Sequence, residues 1–259
     1  MANYVMELSK LFFAILISIT PLDHLRAELP ATSTKPMGQS FSKPPITNTL
    51  RVLLVGSGSS HHFPRDFLGT DAQTLKTAGG IDVAATPNLQ EALKLIKEAD
   101  VVVFSGNHKQ WGAEAWQKSL HHHADNGMGL VILHAATWKH PWKGYNDRFV
   151  GGGTPSHGRG VFEVTVSDTG HAITKEVRKS FKITDENYRI KLKSAEYVHV
   201  CCHNAADKTK APIPSVWVVK DPKTRIVCIT LGHDDKAHQN ASFKKLLINA
   251  VNWVGNKQR

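Results

Sequence analysis

Between residues 51 and 133 the chain reads as four short, almost unbroken apolar runs separated by amphipathic stretches, and few folds accommodate that pattern. The runs cover residues 51–55, 81–85, 101–104 and 130–133. A strand with one wet face alternates apolar and polar residues, whereas a continuous apolar run marks a strand buried on both faces. The stretches between the runs carry helical spacing. Phe67, Leu68, Leu75 and Ala78 form an apolar set in 66–78, and Leu89, Ala92, Leu93 and Ile96 form one in 89–98. A third helix is predicted over 112–125. Such alternation predicts a parallel sheet covered by helices on both sides, with right-handed crossovers.

The second half is richer in strand patterns, at 161–166, 196–202, 216–219 and 225–231, with Pro222-Lys223 as a hairpin turn between the last two. A closing helix over 241–254 places Phe243, Leu246, Leu247, Ala250, Val251 and Val254 on one face. The expected class is therefore α/β: a mostly parallel sheet with a β-rich antiparallel extension in the second half, in one domain over residues 49–259.

The 259 residues are 41% hydrophobic, which suits a core of this size and argues against disorder. Three Cys exclude a disulfide scaffold. Cys201, Cys202 and Cys228 all lie inside strand runs and are expected to be buried and inert. The net charge of +10 arises from Lys and Arg dispersed among Asp and Glu, without an arginine-rich arm. That balance describes a basic soluble surface, and no nucleic-acid partner is expected. Nothing in the sequence specifies an oligomeric state.

Residues 1–27 read as a signal peptide. Lys10 precedes an apolar run at 11–19, Pro21 breaks the helix, and a polar stretch ends at Ala27. The run is shorter than the ~20 residues of a membrane span, so the expectation is an exported protein, periplasmic or extracellular, with no stable membrane span after cleavage. Residues 28–48 carry Pro30, Pro36, Pro44 and Pro45 and read as a flexible linker that builds no core.

In open parallel sheets the ligand crevice lies beyond the carboxyl ends of the strands. Five segments there combine polarity with chemistry. Gly56-Ser57-Gly58-Ser59-Ser60-His61 begins like a dinucleotide loop, but His61 stands where the third glycine belongs and no acid ends the second strand, so NAD is not expected. His134 follows the fourth strand directly. His157 follows Gly151, Gly152 and Gly153, which read as a mobile, close-approach loop. Asp185, Glu186 and Tyr188 suit hydroxyl recognition or acid–base work, although adjacent carboxylates in a strand point to opposite faces and do not form a close pair. His233 and Asp234 follow the strongest late strand. The catalytic candidates are His134, Glu186 and His233; the substrate-binding candidates are His61, His157, Tyr188 and Asp234.

The spacing of His233 and His238 does not match the i,i+4 pattern of a helical zinc motif. A divalent metal such as zinc would need further ligands from His134, His157 or Glu186, and whether one binds stays open. The triplet His121-His122-His123 reads as an exposed helix end.

The succession Arg51-Val52-Leu53-Leu54-Val55-Gly56-Ser57, Gly129-Leu130-Val131-Ile132-Leu133-His134, Val150-Gly151-Gly152-Gly153 with His157, Thr184-Asp185-Glu186-Asn187-Tyr188 and the run from Arg225 to Asp234 resembles the ThuA-like (trehalose utilisation) family. The resemblance spans about residues 50–255. It implies a fold like that of class I glutamine amidotransferases, a three-layer sandwich around a mostly parallel sheet. It also implies a role in carbohydrate utilisation, on disaccharides or their keto derivatives. By resemblance His134, His157, Glu186, Tyr188 and His233 fall on family motif positions and line one pocket. An amidotransferase nucleophile needs a Cys or Ser on a strained strand-to-helix turn. Here His134-Ala135-Ala136-Thr137 follows the fourth strand instead, so thiol-dependent glutamine hydrolysis is not expected.

Three functional readings follow. One is an exported enzyme acting on sugars by His/Glu acid–base chemistry, with or without a metal. Another is a non-catalytic carbohydrate-binding protein with Trp138, Trp142 and Tyr145 as stacking surfaces. The third is a metal-dependent hydrolase of another substrate class.

Overall fold

The computed structural model describes residues 38–46, 48–57, 62–204 and 211–256. The expected signal peptide, most of the expected linker and His61 lie outside the described residues. Among the described residues no helix is long and apolar enough to cross a membrane.

The four apolar runs form β1 (Leu50–Ser57), β2 (Ile81–Thr86), β3 (Val101–Gly106) and β4 (Gly129–Leu133). With β6 (His157–Val166), β7 (Ser180–Tyr188), β9 (Val198–Asn204), β10 (Ile213–Lys220) and β11 (Arg225–Ile229) they build a nine-stranded sheet in the order β2-β1-β3-β4-β11-β10-β9-β6-β7. The first five strands in that order are parallel, and β10, β9, β6 and β7 continue it antiparallel. Two short strands, β5 (Gly152–Gly153) and β8 (Lys191–Leu192), pair separately. The class is the expected one, including the antiparallel extension.

Alternate residues of each central strand enter opposite layers. Val52, Leu54, Val103, Val131, Leu133 and Ile229 join one core. Leu53, Val55, Phe104, Leu130, Ile132 and Cys228 join the other. The first layer is closed by α1 (Phe63–Arg65), the π-helical turn at Asp66–Asp71, α2 (Ala72–Thr77), α5 (Asp235–Gln239) and α6 (Ala241–Gly255). The face predicted for α6 is the buried one, from Phe243 to Val254. The second layer is closed by α3 (Leu89–Leu95) and α4 (Glu114–Asp125) through Ala92, Leu95, Trp116 and Leu120. Polar caps fix the helix starts. Asn88 accepts from Gln90 N and Glu91 N, and Asn240 from Ser242 N and Phe243 N.

Two expectations are corrected. Part of the presumed linker is core: Phe41 is buried, the Arg51 guanidinium lies 4.3 Å from its ring centre, and Ser42 N donates to Asp82 Oδ2 at 3.1 Å. Gln39 pairs with Ala85, so the segment covers the outer edge of β2, which is how a sheet avoids an open edge. The first two of the three glycines before His157 serve packing and not mobility. Gly151 has φ +70°, and a Cβ there would lie 2.6 Å from Val198 Cγ1; one on Gly152 would lie 2.3 Å from the Lys191 carbonyl oxygen. Gly151 and Gly152 let chain pack on chain, whereas a Cβ on Gly153 would meet nothing within 4 Å.

The β6–β7 hairpin decides where the site forms. β6 bonds β9 only at Val164, Thr165 and Val166. The other end of the hairpin, where His157 faces Tyr188 and Arg159 faces Glu186 in register, leaves the sheet and closes over the carboxyl ends of β4 and β11. The β7 strand was not among the predicted strands, although its polar end was singled out.

Candidate active site

β4 delivers His134 into the space beneath that hairpin. The backbone turns abruptly there, with φ +40° at His134. A non-glycine residue held in this region stores about 1–3 kcal/mol, and such strain concentrates at functional sites. The ring is buried, and its Nδ1 lies 2.6 Å from the Thr230 carbonyl oxygen. A carbonyl only accepts, so Nδ1 carries a proton, and in the neutral ring Nε2 presents its lone pair. Nε2 faces the Tyr188 hydroxyl at 3.1 Å, His233 Nδ1 at 3.4 Å and Glu186 Oε2 at 3.6 Å.

Glu186 is the hub. Its Oε2 lies 3.1 Å from His233 Nδ1, and its Oε1 lies 3.4 Å from His157 Nδ1. Burial pushes this carboxyl up, but His134, His233 and His157 together outweigh burial and hold it below the usual glutamate range. Burial, with His134 beside it, holds the His233 imidazole below the ordinary histidine value. The Tyr188 phenol is pushed up by burial and then by Glu186 and Asp185, so it keeps its proton. The site therefore offers a carboxylate acceptor, imidazole lone pairs and a neutral phenol donor.

Strand alternation explains how β7 serves two purposes. Glu186 and Tyr188 share the face toward His134. Asp185, on the other face, is fully buried and accepts from Glu186 N at 2.7 Å, Gly232 N at 2.8 Å and His233 N at 3.0 Å. The expectation that the two carboxylates face opposite ways holds, yet neither side chain is solvent-exposed. Gly232, at φ +111°, makes the turn that aims His233 back toward His134. Its carbonyl oxygen meets His238 Nε2 at 3.0 Å, while His238 Nδ1 lies 2.7 Å from Asp71 Oδ1. Both nitrogens of His238 face acceptors, which fits an imidazolium held by Asp71. Burial pulls this imidazole down, but Asp71 outweighs it and holds the value above the ordinary one.

The predicted residues therefore divide. His134, Glu186, His233, His157 and Tyr188 come together. Asp234 does not join them as a binding group: its carboxylate caps α5, accepting from Lys236 N at 3.1 Å, and pairs with Arg159 at 2.7 Å. Trp138 is half-buried beside the centre, 5.2 Å from the His157 ring and 5.1 Å from that of Tyr188. Trp142 and Tyr145 are buried in the core, so they cannot serve as sugar-stacking surfaces. His121 of the triplet is engaged by Arg148 and packs on Trp142 and Phe149. The three cysteines are buried, and burial pushes Cys201 and Cys202 up to about 12 and Cys228 well above the ordinary thiol value. Sequence reasoning missed Asp71 and Thr230, for which no local pattern exists. Among the described residues, His134, Glu186 and His233 are the group able to share one cation.

Residues 51–254 match the family model ThuA, described as trehalose utilisation. The chain belongs to the ThuA family. Membership supports a role in carbohydrate utilisation. Solved ThuA-like proteins share the fold: one from Parabacteroides merdae at TM-score 0.69 and 20% identity, over 80% of this chain and 90% of that one. Another, from Bacteroides uniformis, gives 0.65 and 19%, over 82% and 95%. A Thermoplasma acidophilum protein described as a GMP synthase component gives 0.51 and 13%, over 79% and 93%, in line with an amidotransferase-like architecture. No curated protein matches this ThuA-family chain.

Proposed function

We propose that this ThuA-family protein is an exported enzyme that moves a proton on a sugar carbon next to a carbonyl, acting on a disaccharide or its keto derivative. The observation that carries the reading is the meeting of His134, Glu186 and His233, from three separate strand ends, with ring nitrogens and a carboxylate oxygen 3.1–3.6 Å from one another. Glu186 is kept ionised by its histidines and turns Oε1 toward His157, at the half-exposed mouth. That oxygen accepts the proton. The Tyr188 hydroxyl, kept neutral, donates to the sugar oxygen on which charge develops. His157 relays the proton between Glu186 and solvent, and the Trp138 face packs on the sugar ring. Export is supported by the apolar run at 11–19 behind Lys10.

Burial of Trp142 and Tyr145 leaves Trp138 as the single aromatic platform of the three foreseen, which favours an enzyme over a dedicated sugar-binding protein. The test is a panel of disaccharides and keto-disaccharides incubated in deuterated water. Deuterium should enter at the carbon beside the carbonyl, and Glu186→Gln should slow this by ~10²–10⁴, the usual contribution of general acid–base catalysis. Panel members that bind without exchange or turnover would point to the binding-protein reading.

A further inference from the structure

We propose that His134 Nε2, His233 Nδ1 and Glu186 Oε2 are the three protein ligands of a single divalent transition metal of the zinc class. The inference deepens the proposed activity at the same centre, but metal binding is measured without turnover, so the two can fail separately.

The spacing of the three atoms is the first argument. Their separations are 3.1, 3.4 and 3.6 Å. Ligands ~2.0–2.1 Å from a tetrahedral zinc lie about 3.3–3.4 Å apart along each edge, so the observed triangle fits one ion with shifts of a few tenths of an ångström. Hydrogen bonding accounts for one edge of this triangle, His233 Nδ1 to Glu186 Oε2 at 3.1 Å, and not for the His134–Glu186 edge. The proton on His134 is already placed at Nδ1 by Thr230, so its Nε2 lone pair takes the Tyr188 hydroxyl at 3.1 Å and also faces a carboxylate oxygen at 3.6 Å and a second imidazole nitrogen at 3.4 Å. Two acceptors and a third group of adjustable protonation, aimed at one point, are what a cation requires.

The supports behind the ligands are the second argument. Metal-bound histidines characteristically pass their other N–H to a carbonyl or carboxylate, which fixes tautomer and ring plane. His134 does this to Thr230. His233 is held through its backbone, since Asp185 takes its N–H and that of Gly232, while His238, backed by Asp71, takes the Gly232 carbonyl. Both histidines are buried and Glu186 is largely so. The two-histidine, one-carboxylate set is that of catalytic rather than structural sites, which keep a position for substrate or water. Here the side left to the sugar is that of Tyr188, His157 and Trp138. A cation on Oε2 leaves Oε1 toward His157, so one carboxylate both anchors the metal and accepts the substrate proton. The metal would polarise the sugar carbonyl.

The experiment uses full-length protein stripped with a chelator, then titrated with zinc by calorimetry and with cobalt by visible absorption. One equivalent should bind, and cobalt should give the d–d bands of a low-coordinate nitrogen–oxygen site. Glu186→Gln and His233→Ala should each weaken zinc by more than ~100-fold, above the loss expected for a supporting group. The double variant His122→Ala, His123→Ala, which removes the two histidines of the triplet not held by Arg148, should leave the equivalent in place. Absence of the cobalt bands in wild type would overturn the proposal whatever the variants do. So would a one-equivalent site lost with the triplet and kept in folded Glu186→Gln.

Discussion

Asp185→Asn tests how the hairpin is tied to the sheet. The carboxylate accepts three backbone N–H groups, from Glu186 and His233 at Oδ1 and from Gly232 at Oδ2. Asparagine keeps the shape but has one acceptor oxygen. In its better orientation two of the bonds survive, and the Gly232 N–H then faces an amide NH₂. A bond to a charged acceptor contributes ~1.5–3 kcal/mol, and a buried donor left unmet costs ~1–3 kcal/mol. Burial opposes the charge, pushing the carboxyl up against His134 and the three N–H groups, so neutralising it returns part of the loss. The net destabilisation should be about 2–4 kcal/mol. At ~2–4 °C per kcal/mol for a domain of this size, Tm falls by roughly 4–16 °C. Urea denaturation with an unchanged m-value is the assay, with amide exchange at Gly232 and His233 as the local readout. A variant within ~0.5 kcal/mol of wild type and unaltered in exchange would refute the claim that Asp185 holds this loop.

Other consequences are also measurable. His238 has a folded value above the ordinary 6.5 because Asp71 outweighs burial, so its contribution is complete below about pH 6.5 and is lost as the pH rises through the folded value. Tm should therefore fall more steeply as the pH rises above about 6.5 in wild type than in His238→Gln, and parallel profiles would contradict the pairing. Phe41→Ala should cost about 3 kcal/mol in chemical denaturation; an unchanged midpoint would mean that the segment before β1 is not core. Substituting Cys201, Cys202 or Cys228 with Ala should lower stability and leave turnover intact, and a folded Cys variant without activity would reverse the exclusion of thiol chemistry. Trp138→Ala should raise KM for the sugar with a smaller effect on Tm.

The parallel half of the fold was legible because burial on both faces writes itself as unbroken apolar runs, from Val52 to Val55 and from Leu130 to Leu133. The α6 face was legible from helical spacing. His134 and His233 were found because strand ends in such sheets are where ligands bind, and Glu186 because it lies in a polar cluster beside them. Asp185 and Glu186 were correctly split to opposite faces, but which partner each face meets depends on the His157 end of the hairpin, up to Val164, standing away from β9. That is a tertiary event with no local signal. The same holds for Asp71, whose role comes from His238, 167 positions away. Asp234 lies outside the cluster as the cap of α5, and its place was not legible because capping and binding carboxylates read alike in sequence. Phe41 was hidden by the prolines around it. Gly151 and Gly152 suggested mobility, since a glycine needed for close packing and one needed for motion are the same letter.

The central claim is that three strand ends place His134, Glu186 and His233 at one centre. A crystal structure of the purified protein tests it most directly. The account predicts His134 Nε2, Glu186 Oε2 and His233 Nδ1 each within ~3–4 Å of the other two, the span allowed by shared hydrogen bonds or a shared ion, with His134 Nδ1 still on the Thr230 carbonyl. Side chains of His134 and His233 directed into different regions, more than ~10 Å apart, could not share an ion at ~2 Å bond lengths and would contradict it.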